Sequence, residues 1–117
     1  MDYFNSTSKA APRTAPNHKT WDLLTADQGC TAGCKAGLSQ HIATSFLPAQ
    51  AHEDQEGFYV ISGTGWALIN GEKRRMEPGT ALIVPPGVTH AFIKDEDVPF
   101  LQNVLVPFSG IEILRGK

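Results

Sequence analysis

Residues 57–94 read GFYVISGTGWALINGEKRRMEPGTALIVPPGVTHAFIK, and their punctuation decides the fold. Short runs, Gly57 to Ser62, Trp66 to Ile69, Thr80 to Val84 and His90 to Lys94, are divided by Gly63-Thr64-Gly65, Asn70-Gly71, Glu77-Pro78-Gly79 and Pro85-Pro86-Gly87. Runs of this length bounded by Gly, Pro and Asn have the signature of strands. Asn70-Gly71 is the strongest hairpin signal, because both residues tolerate the positive φ that a type I′ turn demands. Outward from this block, Trp21 to Leu24, Leu38 to Leu47 and Phe100 to Val106 read as further strands. Many short strands, with no heptad, internal repeat or long helical period, predict an all-β sandwich or barrel.

The core of such a fold comes from alternate, inward-facing residues. The candidates are Ile42, Phe46, Phe58, Val60, Trp66, Leu68, Leu82, Val84, Phe92, Leu101 and Leu105. The chain has 117 residues, the size of one domain. Its 41% hydrophobic and 19% charged content suits a packed core rather than a disordered chain. Residues 1–20, rich in Ser, Thr, Ala, Pro and Asn, read as a flexible N-terminal arm, and residues 21–117 as a single barrel domain.

Charge and hydropathy exclude several function classes. Ten Lys and Arg against twelve Asp and Glu leave a net charge of −2, with no basic field to recruit a nucleic acid. The longest apolar candidate, Ala81 to Val84, stops at Pro85, far short of the ~20 residues of a membrane helix. The first nineteen residues carry no secretory-type apolar segment, which makes the cytoplasm the expected address. Cys30 and Cys34 have neither the spacing of a redox pair nor neighbouring donors for a zinc site, and are expected as two reduced thiols.

The chemistry lies in Gln50-Ala51-His52-Glu53-Asp54-Gln55-Glu56. Gln50, His52 and Glu56 share parity and would face one side of an extended chain. His90, just after the Pro85-Pro86-Gly87 turn, opens another strand that could bring its imidazole to the same point. His52, Glu56 and His90 then form a set of two His and one carboxylate, which leaves positions open on a divalent ion for substrate or dioxygen. Gln50 can add a neutral oxygen or act from outside the ligand shell. An ion with one carboxylate keeps a net positive charge and attracts enolates, carboxylates and vicinal hydroxyl or keto groups.

These residues resemble the cupin superfamily. Gln50-x-His52, Glu56 and Gly63 reproduce the spacing of the first cupin motif, with Gln50 in place of its first His. Gly79, Pro85, Gly87 and His90 reproduce the second, with Lys94 at its Asn position. Two patterned segments at the right separation are far harder to meet by chance than one, and the resemblance spans roughly residues 35 to 107. It implies a jelly-roll β-barrel, or double-stranded β-helix, with a metal held by His52, Glu56 and His90. It also implies a homodimer, between whose subunits the arm could exchange.

The function expected is that of a metal-dependent enzyme on a small, oxygen-rich, enolisable or carboxylate substrate, with a dioxygenase favoured. The cofactor would be one divalent ion, Fe, Mn, Zn or Ni. Gln50, His52, Glu56 and His90 are the metal candidates, and Glu56 and Tyr59 the catalytic ones, Tyr59 as a proton donor. A redox-neutral isomerase, lyase or decarboxylase would use the same Lewis acid. A non-catalytic metal- or sugar-binding barrel is the reading from another class. Tyr59 and Trp66 are the aromatics expected at the pocket, ahead of Phe58 and Phe92. Glu72-Lys73-Arg74-Arg75 is expected as a solvated loop or edge strand, His41 as an outer-face residue, and His18 as part of the arm.

Overall fold

A computed structural model describes residues 1–32, 35–51 and 53–108. Among the described residues nine strands run β1 Arg13–Ala15, β2 His18–Leu24, β3 Ala36–His41, β4 Gln55–Ser62, β5 Gly65–Ile69, β6 Glu72–Met76, β7 Ala81–Val84, β8 His90–Lys94 and β9 Leu101–Phe108. They form a six-stranded sheet in the order β1-β2-β3-β9-β4-β7 and a three-stranded sheet in the order β6-β5-β8. Every strand pair in both sheets is antiparallel. The fold is the all-β, cupin-type barrel that the motifs imply, in one small domain. No helix among the described residues is long and apolar enough to cross a membrane.

Local chemistry sets the turns. Asn70 and Gly71 adopt φ of 51° and 80°, the paired positive angles of a type I′ turn, and close the β5–β6 hairpin. Gly63 has φ of 80°, and a Cβ built there would lie 1.9 Å from the Phe100 carbonyl oxygen. The glycine that ends the first motif therefore answers to both backbone angle and space.

The inner faces of the two sheets meet in a core of Phe58, Val60, Ala67, Met76, Val84, Phe92, Leu101 and Leu105. Of the expected core, Phe58, Val60, Val84, Phe92, Leu101 and Leu105 are buried, and Leu82 packs against them. Trp66 and Leu68 do not belong to it. On β5 the inward parity is that of Gly65 and Ala67, which are buried while Trp66 and Leu68 are only half-buried. Trp66 instead lies under the Lys73 ammonium, 4.4 Å from its ring centroid, and the Arg75 guanidinium at 5.1 Å. These cations sit on β6, which makes 72–76 an edge strand.

Two expected boundaries move. Residues 13–20, read as arm, form β1 and the start of β2, with Arg13 opposite Thr20 and His18 opposite His41. Polar composition hid this segment, yet Thr20 is buried on the inner face. Leu38 to Leu47 is not one strand either. β3 ends at His41, and Ile42, expected in the core, is 44% exposed where the chain leaves the sheet.

Candidate functional site

A cavity of about 460 Å³ opens between the two sheets. Phe58, Phe92 and Leu105 are among its apolar lining residues. Glu56 enters from β4 of the six-stranded sheet, and His90 from β8 of the three-stranded one. Their facing atoms, Glu56 Oε1 and His90 Nε2, are 3.6 Å apart, and the two side chains are 17% and 10% exposed. Gln50 joins them from the loop before β4. Its backbone forms an isolated antiparallel bridge with His90, and its side chain contributes to the cavity.

The pair fits a cation. His90 Nδ1 lies 3.3 Å from the Val88 carbonyl oxygen, which can only accept. Nδ1 therefore carries the hydrogen, and in the neutral ring Nε2 presents a lone pair toward the Glu56 carboxylate. A backbone carbonyl fixing the tautomer and orientation of an imidazole is the usual support of a metal-ligating histidine. At 3.6 Å the facing atoms are beyond hydrogen-bond reach, a few tenths of an ångström wider than the ~3.0–3.4 Å between two ligands each ~2.1 Å from one ion. Among the described residues no three His, Cys, Asp or Glu side chains form a metal-holding group. His52 lies outside the described residues, as does Cys34.

Of the expected site residues, the structure brings Gln50, Glu56 and His90 together. Tyr59 it places elsewhere. On β4 the inward residues are Glu56, Phe58 and Val60, so Tyr59 points to the outer face, where it is 48% exposed. It cannot donate a proton inside the cavity, and Trp66, on the outer face of β5, does not line it. Parity counted within β4 alone separates Tyr59 from Glu56.

The residues missed by sequence are His18, Thr20, Ser39 and His41, all cavity-lining. His18 pairs with His41 and Thr20 with Ser39 across the β2–β3 ladder, so the four form two rungs on one inner face. Their imidazole centroids are 5.8 Å apart, and the His41 ring lies 4.8 Å from that of Phe92. The outer-face expectation for His41 fails because β3 ends at His41, so its parity is independent of the alternation from Gln50 to Glu56. Within β3 the small residues Gly37 and Ser39 mark the inward parity that His41 shares.

Burial, reinforced by His18 and His90, pushes the His41 imidazole down to about 3. Burial keeps it neutral, and among the described residues its buried Nε2 has no hydrogen-bond partner. Such an atom costs the fold about 1–3 kcal/mol. Burial and the Arg13 charge likewise lower His18. Arg13, at the cavity wall, is held by Asp22 through Nε–Oδ2 and Nη2–Oδ1 contacts of 2.6 and 3.0 Å. The same guanidinium keeps the Asp22 carboxyl below the usual carboxylate range.

Comparison with known proteins agrees with the fold. The chain is 32% identical over 72 residues to acireductone dioxygenase 1 of Coprinopsis cinerea, covering 54% of this chain and 40% of that protein. It is 27% identical over 74 residues to an acireductone dioxygenase of Puccinia graminis f. sp. tritici, covering 58% and 41%. The chain thus spans about two-fifths of the length of these relatives. Among solved structures, KdgF from Halomonas sp. superposes with a TM-score of 0.71 at 20% identity, covering 94% of this chain and 96% of that one, a likeness of fold. The family model for the Cupin domain matches residues 42–102, and the chain belongs to that family.

Proposed function

We propose that the chain is a metal-dependent cupin of the dioxygenase type, acting on a small enolisable molecule in the cavity between its sheets. The observation that carries this reading is the meeting of Glu56 Oε1 and His90 Nε2 at 3.6 Å on the cavity wall. The sequence likeness to two acireductone dioxygenases favours oxygen chemistry over redox-neutral chemistry.

In this reading His52, Glu56 and His90 would hold the ion, with Gln50 beside them. A bound divalent ion supplies Lewis acidity toward an enediol or hydroxy-carbonyl oxygen and, when redox-active, a partner for dioxygen. The remaining work belongs to the chain. Glu56 offsets part of the ion's charge, and the Val88 carbonyl holds the His90 ring in its ligating tautomer. Phe58, Phe92 and Leu105 limit water around the reacting oxygens, which strengthens electrostatic contacts there. Tyr59 has no role, because it faces outward.

An oxygen electrode tests this. Iron-loaded full-length chain with a synthetic acireductone, an enediol conjugated with a carbonyl, should consume dioxygen, and Glu56→Gln should abolish consumption. Conversion of substrate without oxygen uptake would move the chain to isomerase, lyase or decarboxylase chemistry. Binding without conversion would make it a ligand-binding barrel.

A further inference from the structure

We infer that the β2–β3 rungs form a hydroxyl-recognition wall, with His41 Nε2 as its central contact, and that the cavity takes an uncharged hydroxy-carbonyl ligand in preference to a carboxylate. This names the substrate class of the proposed site and rests on that reading for the Glu56–His90 end of the cavity alone.

Three observations carry it. His41 Nε2 is buried, has no hydrogen-bond partner among the described residues, and is part of a residue that lines the cavity. A neutral imidazole nitrogen either donates or accepts, according to tautomer, and a hydroxyl answers both cases because it can do either. The flanking groups have the same dual character. Thr20 and Ser39 bring hydroxyls on the adjacent rung. Asn103 Nδ2 donates to Ser39 Oγ at 3.5 Å, so the Ser39 hydroxyl keeps its own hydrogen to donate.

Charge argues against a carboxylate at this wall. Among the described lining residues the one formal cation, Arg13, is engaged by both Asp22 oxygens and lies with Asp22 toward solvent. His18 and His41 are both shifted toward the neutral form. A carboxylate brought here would lose its hydration and meet neutral dipoles, whereas a hydroxyl exchanges water for equivalent partners. The unmet Nε2 of His41 thus costs the fold, and a ligand hydroxyl there would offset that cost.

The test uses two probes of matched size, dihydroxyacetone and hydroxypyruvate, which differ by one hydroxymethyl group replaced with a carboxylate. They are titrated anaerobically into the full chain, with and without zinc, and followed by protein-detected NMR. Dihydroxyacetone should shift the amides of Thr20, Ser39 and His41 and bind more tightly than hydroxypyruvate. His41→Phe should weaken it by about tenfold, Ser39→Ala should weaken it less, and His41→Gln, which restores a polar group, should bind within about threefold of wild type. His41→Phe should also melt higher than wild type, an outcome that a structural role for the imidazole would reverse. Tighter binding of hydroxypyruvate, unchanged affinity in His41→Phe, or binding of neither probe would overturn the inference. A chain that binds dihydroxyacetone through His41 yet never consumes dioxygen would keep this inference and lose the oxygenase reading.

Discussion

The backbones of Gln50 and His90 exchange two hydrogen bonds, Gln50 N to His90 O at 3.1 Å and His90 N to Gln50 O at 2.8 Å. Directly opposed residues in an antiparallel pair that share both bonds project their side chains to one face of the sheet. The loop before β4 is thereby stapled to the strand that carries a candidate ligand. The position that holds Gln where the first cupin motif has His is thus fixed beside His90.

That relationship predicts a gain of function. Gln50→His places an imidazole nitrogen beside His90 and exchanges a hard amide oxygen for the donor that borderline ions prefer. Divalent-metal affinity, measured by competition with a chromogenic chelator, should rise by about tenfold or more. Unchanged affinity would mean that residue 50 does not reach the ion.

Acid stability should report on His41. Its imidazole titrates at about 3 in the fold against 6.5 in a free chain. Between those values the unfolded state binds a proton that the folded state refuses, so stability falls as pH drops from 6.5 toward 3. Above 6.5 both states are neutral and the contribution is constant. The slope is at most about 1.4 kcal/mol per pH unit for one group. His18, opposite His41 and lowered in the same direction, adds to it. Melting temperatures at pH 7 and pH 5 should therefore converge in His41→Phe relative to wild type, and equal differences in the two proteins would contradict the burial of the ring.

Gly63→Ala should be costly although no side chain is lost. The left-handed backbone alone costs a non-glycine residue about 1–3 kcal/mol, and the contact with the Phe100 carbonyl adds to that. Chemical denaturation should show the destabilisation, with Gly71→Ala milder because nothing lies within 4 Å of a Cβ there.

Much of this was legible in the residues. Asn70-Gly71 announced its hairpin, and the prolines and glycines set where β4, β5 and β7 end. The spacing of Gln50, Glu56 and His90 anticipated their convergence, because two motifs each constrain one strand of the barrel. What failed was parity. Trp66 looked like core by size, but alternation along β5 turns Gly65 and Ala67 inward, and the charged ends of Lys73 and Arg75 on β6 lie over the indole. Tyr59 was drawn to the site by its hydroxyl, against the alternation that turns it outward. His18 and His41 were invisible because their meeting depends on β2 pairing with β3 across the 25–35 connection, a long-range register that local composition does not encode.

Metal content tests the central claim most directly. Untagged protein purified anaerobically, analysed by plasma mass spectrometry beside Glu56→Gln, should carry close to one divalent ion per chain. The variant, which keeps the shape of Glu56 and loses its charge, should lose about 100-fold or more in affinity. Wild-type protein that neither retains nor takes up a divalent ion, or a Glu56→Gln variant that binds as wild type, would contradict a metal centre built on Glu56 and His90.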